Sequence, residues 1–521
     1  MSVGVPQRAK PLVVLLFAAL AIAGGREAAA QGRLVRAAGP PSSVSPAVAL
    51  GGGAARRELR IQPVTVDLSV LPGGRVGDVA ALLRGGLEVE LFDGRVVAVN
   101  LDRIDEGRYG TIYSGIVPAA ASSQFTAVRV GAAFVAALSI DGEEYEIRYE
   151  GPTLRLQQID PAAAFTCGVV DPPVAAGAAA PARIVDAVGE PAVIDVLLAF
   201  TTAAQAGAGG APGAQALADL TIAQINQALA RSLVARRFSL KGVMVTASAE
   251  VGDYSIGLSR VQSPGDGFMD DVAITRDSLQ ADLVALIVED NDPGGSAGRG
   301  YLLLSQSKFN SPWGYSINQR SYLSARLLGH EMGHNLGLSH DRANTSPGSS
   351  FLPYAYGYQV PNLFYTIMAY PCLFCRGIDY YSNPAVFVDG QPTGIADFAD
   401  EARALRENFP TVAGFRGCPS QVTDFEEAPA EGGPFRFTIQ TPAGCPWNVS
   451  VSSVDTWVTP PRTATGLGSA TIWLLAAPLP AISGGRSTFV FVDGQSYRID
   501  QRPRVDTDGD GLPDAWETRF G

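Results

Sequence analysis

The chain has 521 residues, 46% hydrophobic and 17% charged, with a formal net charge of −12. That length exceeds what one core organises and implies about three or four domains. The acidic balance, with no basic stripe to neutralise phosphates, excludes a nucleic-acid partner.

Arg8 and Lys10 precede an apolar run from Leu12 to Ala23, and Ala28-Ala29-Ala30 follows. This order of charge, short apolar core and small-residue site is that of a secretory signal peptide over residues 1–30, cut near Ala30. The run is too short to span a bilayer, and no later stretch is long enough. The expected product is soluble, secreted and extracellular, where disulfides persist. Residues 31–57, rich in Ala, Gly, Pro and Ser, read as a flexible leader. From 58 to 170 the pattern turns to short alternating strands. Leu87–Phe92 and Arg95–Val99 flank Asp93-Gly94, which predicts a hairpin with a two-residue turn. Ala136 to Tyr149 repeats the device around Asp141-Gly142. The region reads as a small, mostly β domain without catalytic residues of its own, in the position of a propeptide. Residues 171–191, again rich in Ala and Pro, read as an exposed linker and maturation region.

Val193–Phe200 reads as a buried strand. Residues 212–235 carry helical spacing, with Ala218, Ile222, Ile225 and Leu229 on the apolar face. Residues 238–251 suggest a second strand, 269–279 a helix and 281–288 a third strand. Such alternation predicts an α/β layer sandwich over 192–417, with a helix at about 324–336 packed beneath the sheet. That helix contains His330-Glu331-Met332-Gly333-His334. Residues four apart share a helix face, so His330 and His334 can bind one zinc ion, with Glu331 beside them as candidate general base. Gly337 stands where a helix commonly ends in a left-handed residue, and a sharp turn there returns His340 as a third ligand. These are the three histidines of the whole chain. Three protein ligands leave a fourth position open, the catalytic rather than the structural pattern.

His330-Glu331 through His340 resembles the H-E-x-x-H-x-x-G-x-x-H signature of the metzincin zinc endopeptidases. Asp341, directly after the third histidine, looks like the adamalysin (reprolysin) branch. The resemblance implies a mixed, twisted α/β sheet with a zinc-site helix and a Met-turn. Thr366-Ile367-Met368-Ala369-Tyr370, 28 residues past His340 to its methionine, looks like that turn, with Met368 as the apolar floor beneath the metal. Tyr370 stands where astacins and serralysins carry a movable zinc ligand. A fifth ligand, an oxyanion donor and a wall residue all stay open for it. The strand at 300–304 is assigned, by resemblance, as the edge that binds extended substrate. The pocket for the residue after the scissile bond is expected between the Met-turn and Pro384. Cys372 and Cys375 fall in that loop, where a local disulfide is favoured over metal or redox chemistry.

Cys167-Gly168-Val169, ending the β domain, resembles the cysteine switch of adamalysin propeptides, in which a thiolate fills the open zinc position. An ordinary buried cysteine is the alternative. Past Arg416 the chain turns strand-rich, with Asp493-Gly494 as another hairpin turn. Residues 418–503 are similar to BACON-type β-sandwich domains in Cys445-Pro446-Trp447, Trp457 and Gly466-Leu467-Gly468-Ser469. A Cys418–Cys445 disulfide fits within that domain. Such modules are taken to bind glycan or mucin, though the aromatic residues fit a core equally well. Asp506, Asp508, Asp510, Asp514 and Glu517, in residues 504–521, resemble a thrombospondin type 3 or EF-hand-like calcium loop.

The resulting expectation is a secreted zinc metalloendopeptidase made as a zymogen, acting on proteins or peptides, with zinc and possible calcium as cofactors. His330, His334 and His340 hold the metal and Glu331 moves the proton. Two other classes remain: a glycan- or mucin-binding adhesin with a vestigial protease domain, and a zinc hydrolase of a non-peptide bond.

Overall fold

A computed structural model describes residues 32–43, 58–72, 86–120, 122–160, 166–170, 192–290, 292–306, 308–346, 349–416, 420–441, 445–452, 457–459, 465–480, 485–492 and 495–503. The expected signal peptide, the linker at 171–191, Cys418 and the acidic loop from Asp506 to Glu517 lie outside the described residues.

The N-terminal domain is a ten-stranded sheet that closes on itself, because Gly32–Ala37 pairs with both Leu87–Glu90 and Glu58–Val66. Closure removes the exposed sheet edges that an open sheet would present. Gly32–Ala37 belongs to the stretch expected as a flexible leader, and that expectation is corrected here. Leu34 and Val35 are fully buried, so two apolar residues suffice to recruit the segment as the closing strand. The hairpin at Asp93-Gly94 is also corrected, from a two-residue to a three-residue loop. The Leu91 N–H donates to Arg95 O (2.7 Å), and Phe92 is drawn into the core. Asp93 and Gly94 still take positive φ. The hairpin at Asp141-Gly142 keeps its two-residue turn, with φ of 49° and 91°.

The central domain holds a six-stranded sheet in the order Thr166–Val170, Ser296–Tyr301, Tyr315–Gln319, Leu283–Val288, Val193–Thr201, Arg237–Thr246. Val193–Thr201 is parallel to both neighbours and apolar on both faces. Val196, Leu198 and Phe200 enter one core with Ile225, Leu328 and Leu405, from helices Ala211–Arg231, Ala325–Asn335 and Glu401–Val412. Leu197 and Ala199 enter the other, beneath helices Tyr254–Gln262 and Asp270–Leu279. A strand buried on both faces reads as a continuous apolar run, which is why it was legible in sequence. Two four-stranded sheets enclosing one core form the C-terminal domain, a β-sandwich. Among the described residues no helix is long and apolar enough to cross a membrane.

The N-terminal domain docks on helix Ala211–Arg231. Ile112, Val128 and Val135 pack against Ala216, Leu220 and Ala223. Beside this patch the buried Asp219 carboxylate accepts three backbone N–H groups, from Arg108 (2.9 Å), Tyr109 (2.8 Å) and Gly110 (3.0 Å). Gly107 is needed there, since a Cβ would stand 2.6 Å from the Asp219 carboxylate. The Tyr109 hydroxyl accepts in turn from the Val243 N–H (2.8 Å). Asp219→Ala would strand three part-buried donors, each costing about 1 kcal/mol or more. The expected outcome is a loss of about 3 kcal/mol or more in urea unfolding; an unchanged midpoint would contradict the role given to this contact.

Candidate active site

Helix Ala325–Asn335 begins at Ser324, whose hydroxyl accepts the Leu327 N–H (3.4 Å). It ends as expected at Gly337, with φ of 80°, and the Leu338 N–H returns to Gly333 O (3.0 Å). The reversed chain delivers His340 to the two helical histidines. The ligand atoms of His330, His334, His340 and Cys167 all lie within 4.8 Å of one another, and all four residues are buried. Among the described residues no other group of His, Cys, Asp and Glu offers such a site.

The hydrogen bonds set the imidazole tautomers. His330 Nδ1 faces Ile367 O (2.8 Å) and His334 Nδ1 faces Leu338 O (2.8 Å). A carbonyl only accepts, so each Nδ1 carries the proton and each Nε2 keeps its lone pair. Burial, reinforced by the neighbouring histidine, pushes His330 down to about 3. Burial likewise lowers His340 to about 4, against the pull of Asp341, and holds His334 well below the usual range. His340 Nε2 stands 3.1 Å from His330 Nε2, and Cys167 Sγ stands 3.3 Å from His334 Nε2. Lone pairs converging at that distance repel unless a cation lies among them. Three neutral imidazoles and one thiol in a dry, compact cluster fit tetrahedral zinc.

Glu331 is fully buried, and burial pushes its carboxyl up to about 8, against the Cys167 hydrogen bond and Arg299. The Cys167 thiol donates to Glu331 Oε2 (3.3 Å), while Oε1 has no hydrogen-bond partner among the described residues. The thiol itself is pushed well up by burial and then by the neighbouring carboxylate. Met368 lies beneath the cluster, fully buried, so close that a Cβ on Gly333 would stand 2.5 Å from its sulfur. Asp341 ties the loop of His340 to the following segment by accepting the Tyr370 N–H (2.9 Å). The Tyr370 ring lies against His340, 4.5 Å between centroids, and its hydroxyl donates to Cys167 O (2.9 Å). The expected Cys372–Cys375 disulfide is formed, Cys445 is disulfide-bonded, and Cys167 is a free thiol.

The strand expected to bind substrate departs from expectation in two ways. The strand runs over Ser296–Tyr301 rather than 300–304, antiparallel to Tyr315–Gln319. It is not the open edge here, because Thr166–Val170 pairs along it in parallel, with Cys167 opposite Gly298. Sequence reading missed what lets this strand approach the helix. A Cβ at Gly298 would stand 2.5 Å from Glu331 Oε1, and one at Gly300 2.6 Å from Glu331 O. Alternate glycines in a strand were the available signal. Asn335 was missed too; its Nδ2 donates to Tyr301 O (2.8 Å) and Tyr315 O (3.1 Å), pinning the helix to the sheet.

The chain is similar to known metallopeptidases. The family described as Reprolysin_5, metallo-peptidase family M12, matches residues 190–382. A peptidyl-Asp metalloendopeptidase of Stenotrophomonas maltophilia is 29% identical over 402 residues, 72% of this chain and 93% of its own length. One from Xanthomonas campestris is 33% identical over 230 residues, 44% of this chain and about half (53%) of its own length. Metalloproteinase-II from Bacteroides fragilis aligns with a TM-score of 0.27 and 12% identity, over 52% of this chain and 87% of that one. The chain carries a reprolysin-like metalloendopeptidase, a class of zinc enzyme.

Because Gly298 leaves the space that Glu331 fills, Gly298→Ala should displace the carboxylate without touching the histidines. The expected result is a fall of about 100-fold in kcat/KM, the scale of a lost general base, with metal content unchanged. Unaltered kcat/KM would contradict the assignment.

Proposed function

We propose that the protein is an exported zymogen of a zinc endopeptidase, with residues 32–170 as its propeptide and peptides containing Asp among its substrates. The convergence of His330, His334, His340 and Cys167 carries this reading. Three of these are the motif histidines; the fourth is a free cysteine outside the matched domain. Relatives named for peptidyl-Asp cleavage support the substrate class.

The three histidines would hold zinc through Nε2. When bound, zinc supplies Lewis acidity, which makes water a better nucleophile and polarises a carbonyl. Glu331 takes a proton at Oε2, the oxygen that Cys167 Sγ faces at 3.3 Å, and returns it to the leaving amine. Tyr370, whose hydroxyl already donates to the Cys167 carbonyl, is positioned to donate to a substrate carbonyl once Thr166–Val170 departs. In the latent form Cys167 would be the fourth ligand, and its strand covers the edge that substrate would pair with. Latency thus blocks both the chemistry and the binding groove.

The C-terminal β-sandwich is read as a spacer. Trp447 and Trp457 belong to its core, and Trp447 Nε1 donates to Gly468 O (2.7 Å), which leaves neither ring for glycan. The acidic loop containing Asp506 and Glu517 is proposed to take calcium on its ligand spacing alone.

Two variants test the scheme against a protein substrate. Cys167→Ala precursor should cleave before any processing, when wild-type precursor does not. Processed Glu331→Ala should keep zinc and lose activity by about a thousandfold. Equal latency of the Cys167→Ala precursor would remove the zymogen reading; full activity of Glu331→Ala would remove the base.

A further inference from the structure

The relatives' names point to aspartate at the cleavage site, which requires a cation able to receive a carboxylate near the metal. Two arginines come into question. Arg299 lies on the edge strand, but its neighbours Gly298 and Gly300 are the residues that face Glu331. Strand alternation therefore aims Arg299 at the opposite face, where Asp292 Oδ2 holds it at 3.4 Å. Arg326 is different. It sits four residues before His330 on the metal-site helix, hence on the same side of that helix one turn earlier.

The surroundings of Arg326 are charged and mostly buried. Its Nε donates to Asp379 Oδ1 (3.1 Å), in the segment that follows the Met-turn. Gly377 of the same segment lies directly against its guanidinium, where a Cβ would collide with it and with the Tyr365 hydroxyl. A second carboxylate, Glu144 of the N-terminal domain, also pairs with Arg326. Asp379 is shared, since Arg231 reaches its Oδ2 at 3.7 Å. Two arginines and two carboxylates balance in the precursor. Removal of the N-terminal domain takes Glu144 away and leaves Arg231 and Arg326 with Asp379 alone. One positive charge is then uncompensated, between the metal-site helix and the segment after the Met-turn. The guanidinium side chain is 15% exposed even with Glu144 in place. A charge-assisted pair in such a shielded position is stronger than a surface ion pair.

We propose that Arg326 is the specificity residue for an acidic side chain next to the scissile bond, and that Glu144 occupies it in the precursor as a carboxylate stand-in. This rests on the reading of the protein as a protease of Asp-containing peptides. The arrangement makes the same guanidinium serve latency and then selection: the domain that covers the edge strand also fills the acid-reading position.

The test uses processed, zinc-loaded enzyme and two peptides that differ only by Asp or Asn at the mapped cleavage position. Wild type should prefer the Asp peptide by about 100-fold in kcat/KM, as a buried charge-assisted contact allows. Arg326→Met should lose about 100-fold on the Asp peptide while the Asn peptide stays within about threefold. Arg326→Lys should retain part of the preference, and serves where the Met variant does not fold. Equal loss on both peptides at unchanged zinc content and melting temperature would overturn the proposal. So would a preference that survives Arg326→Met or disappears in Arg299→Met. Wild-type enzyme that cuts both peptides equally would overturn the acidic preference itself, and wild type that cuts neither would remove the protease reading beneath it.

Discussion

Burial of ionisable groups around one helical turn is the constraint on which the rest of the structure depends. Desolvation strips His330, His334 and His340 of their charge, and backbone carbonyls decide which nitrogen of His330 and His334 keeps the remaining proton. The outcome is a set of Nε2 lone pairs aimed at one point, the state that binds a metal and that repels itself without one. The same dryness raises the affinity of Glu331 for a proton. A group that must take up a proton and release it again is thereby tuned by its surroundings rather than by its own chemistry.

Achieving that dryness takes contributions from distant parts of the chain. Met368 seals the site from below, and the glycines of Ser296–Tyr301 let the sheet close against Glu331. Thr166–Val170 lies across the top, with Cys167 in the cluster. The N-terminal domain reinforces this lid from a second direction. It grips helix Ala211–Arg231 through an apolar patch and the Asp219 carboxylate, and that helix packs in the same core as the metal-site helix. A short strand on its own would pair weakly with an edge; a domain anchored elsewhere raises its effective concentration there.

Much of this was legible in the sequence, because the zinc motif condenses ligand, base and turn into eleven consecutive residues with a fixed helical geometry. The buried strand Val193–Thr201 announced itself by the apolar run Val196–Phe200. Cys167 was legible as the odd cysteine with glycine after it. Long-range pairings were not. Nothing local in Leu34-Val35 reveals that it closes a sheet with residues 58–66 and 87–90, since its partners are set by register far away. Gly298 and Asn335 carry no chemistry of their own, and their importance emerges only when the helix is laid against the strand. Arg326 reads in sequence as an ordinary helical arginine; the fold gives it Glu144 and Asp379.

In the proposed latent precursor zinc would be held by three histidines and Cys167. X-ray absorption at the zinc edge of the purified precursor measures this directly. Three nitrogen neighbours at about 2.0 Å and one sulfur at about 2.3 Å are expected, with the sulfur lost once the N-terminal domain is removed. A zinc site with no sulfur in the precursor, or one whose sulfur persists in the processed enzyme, would contradict it.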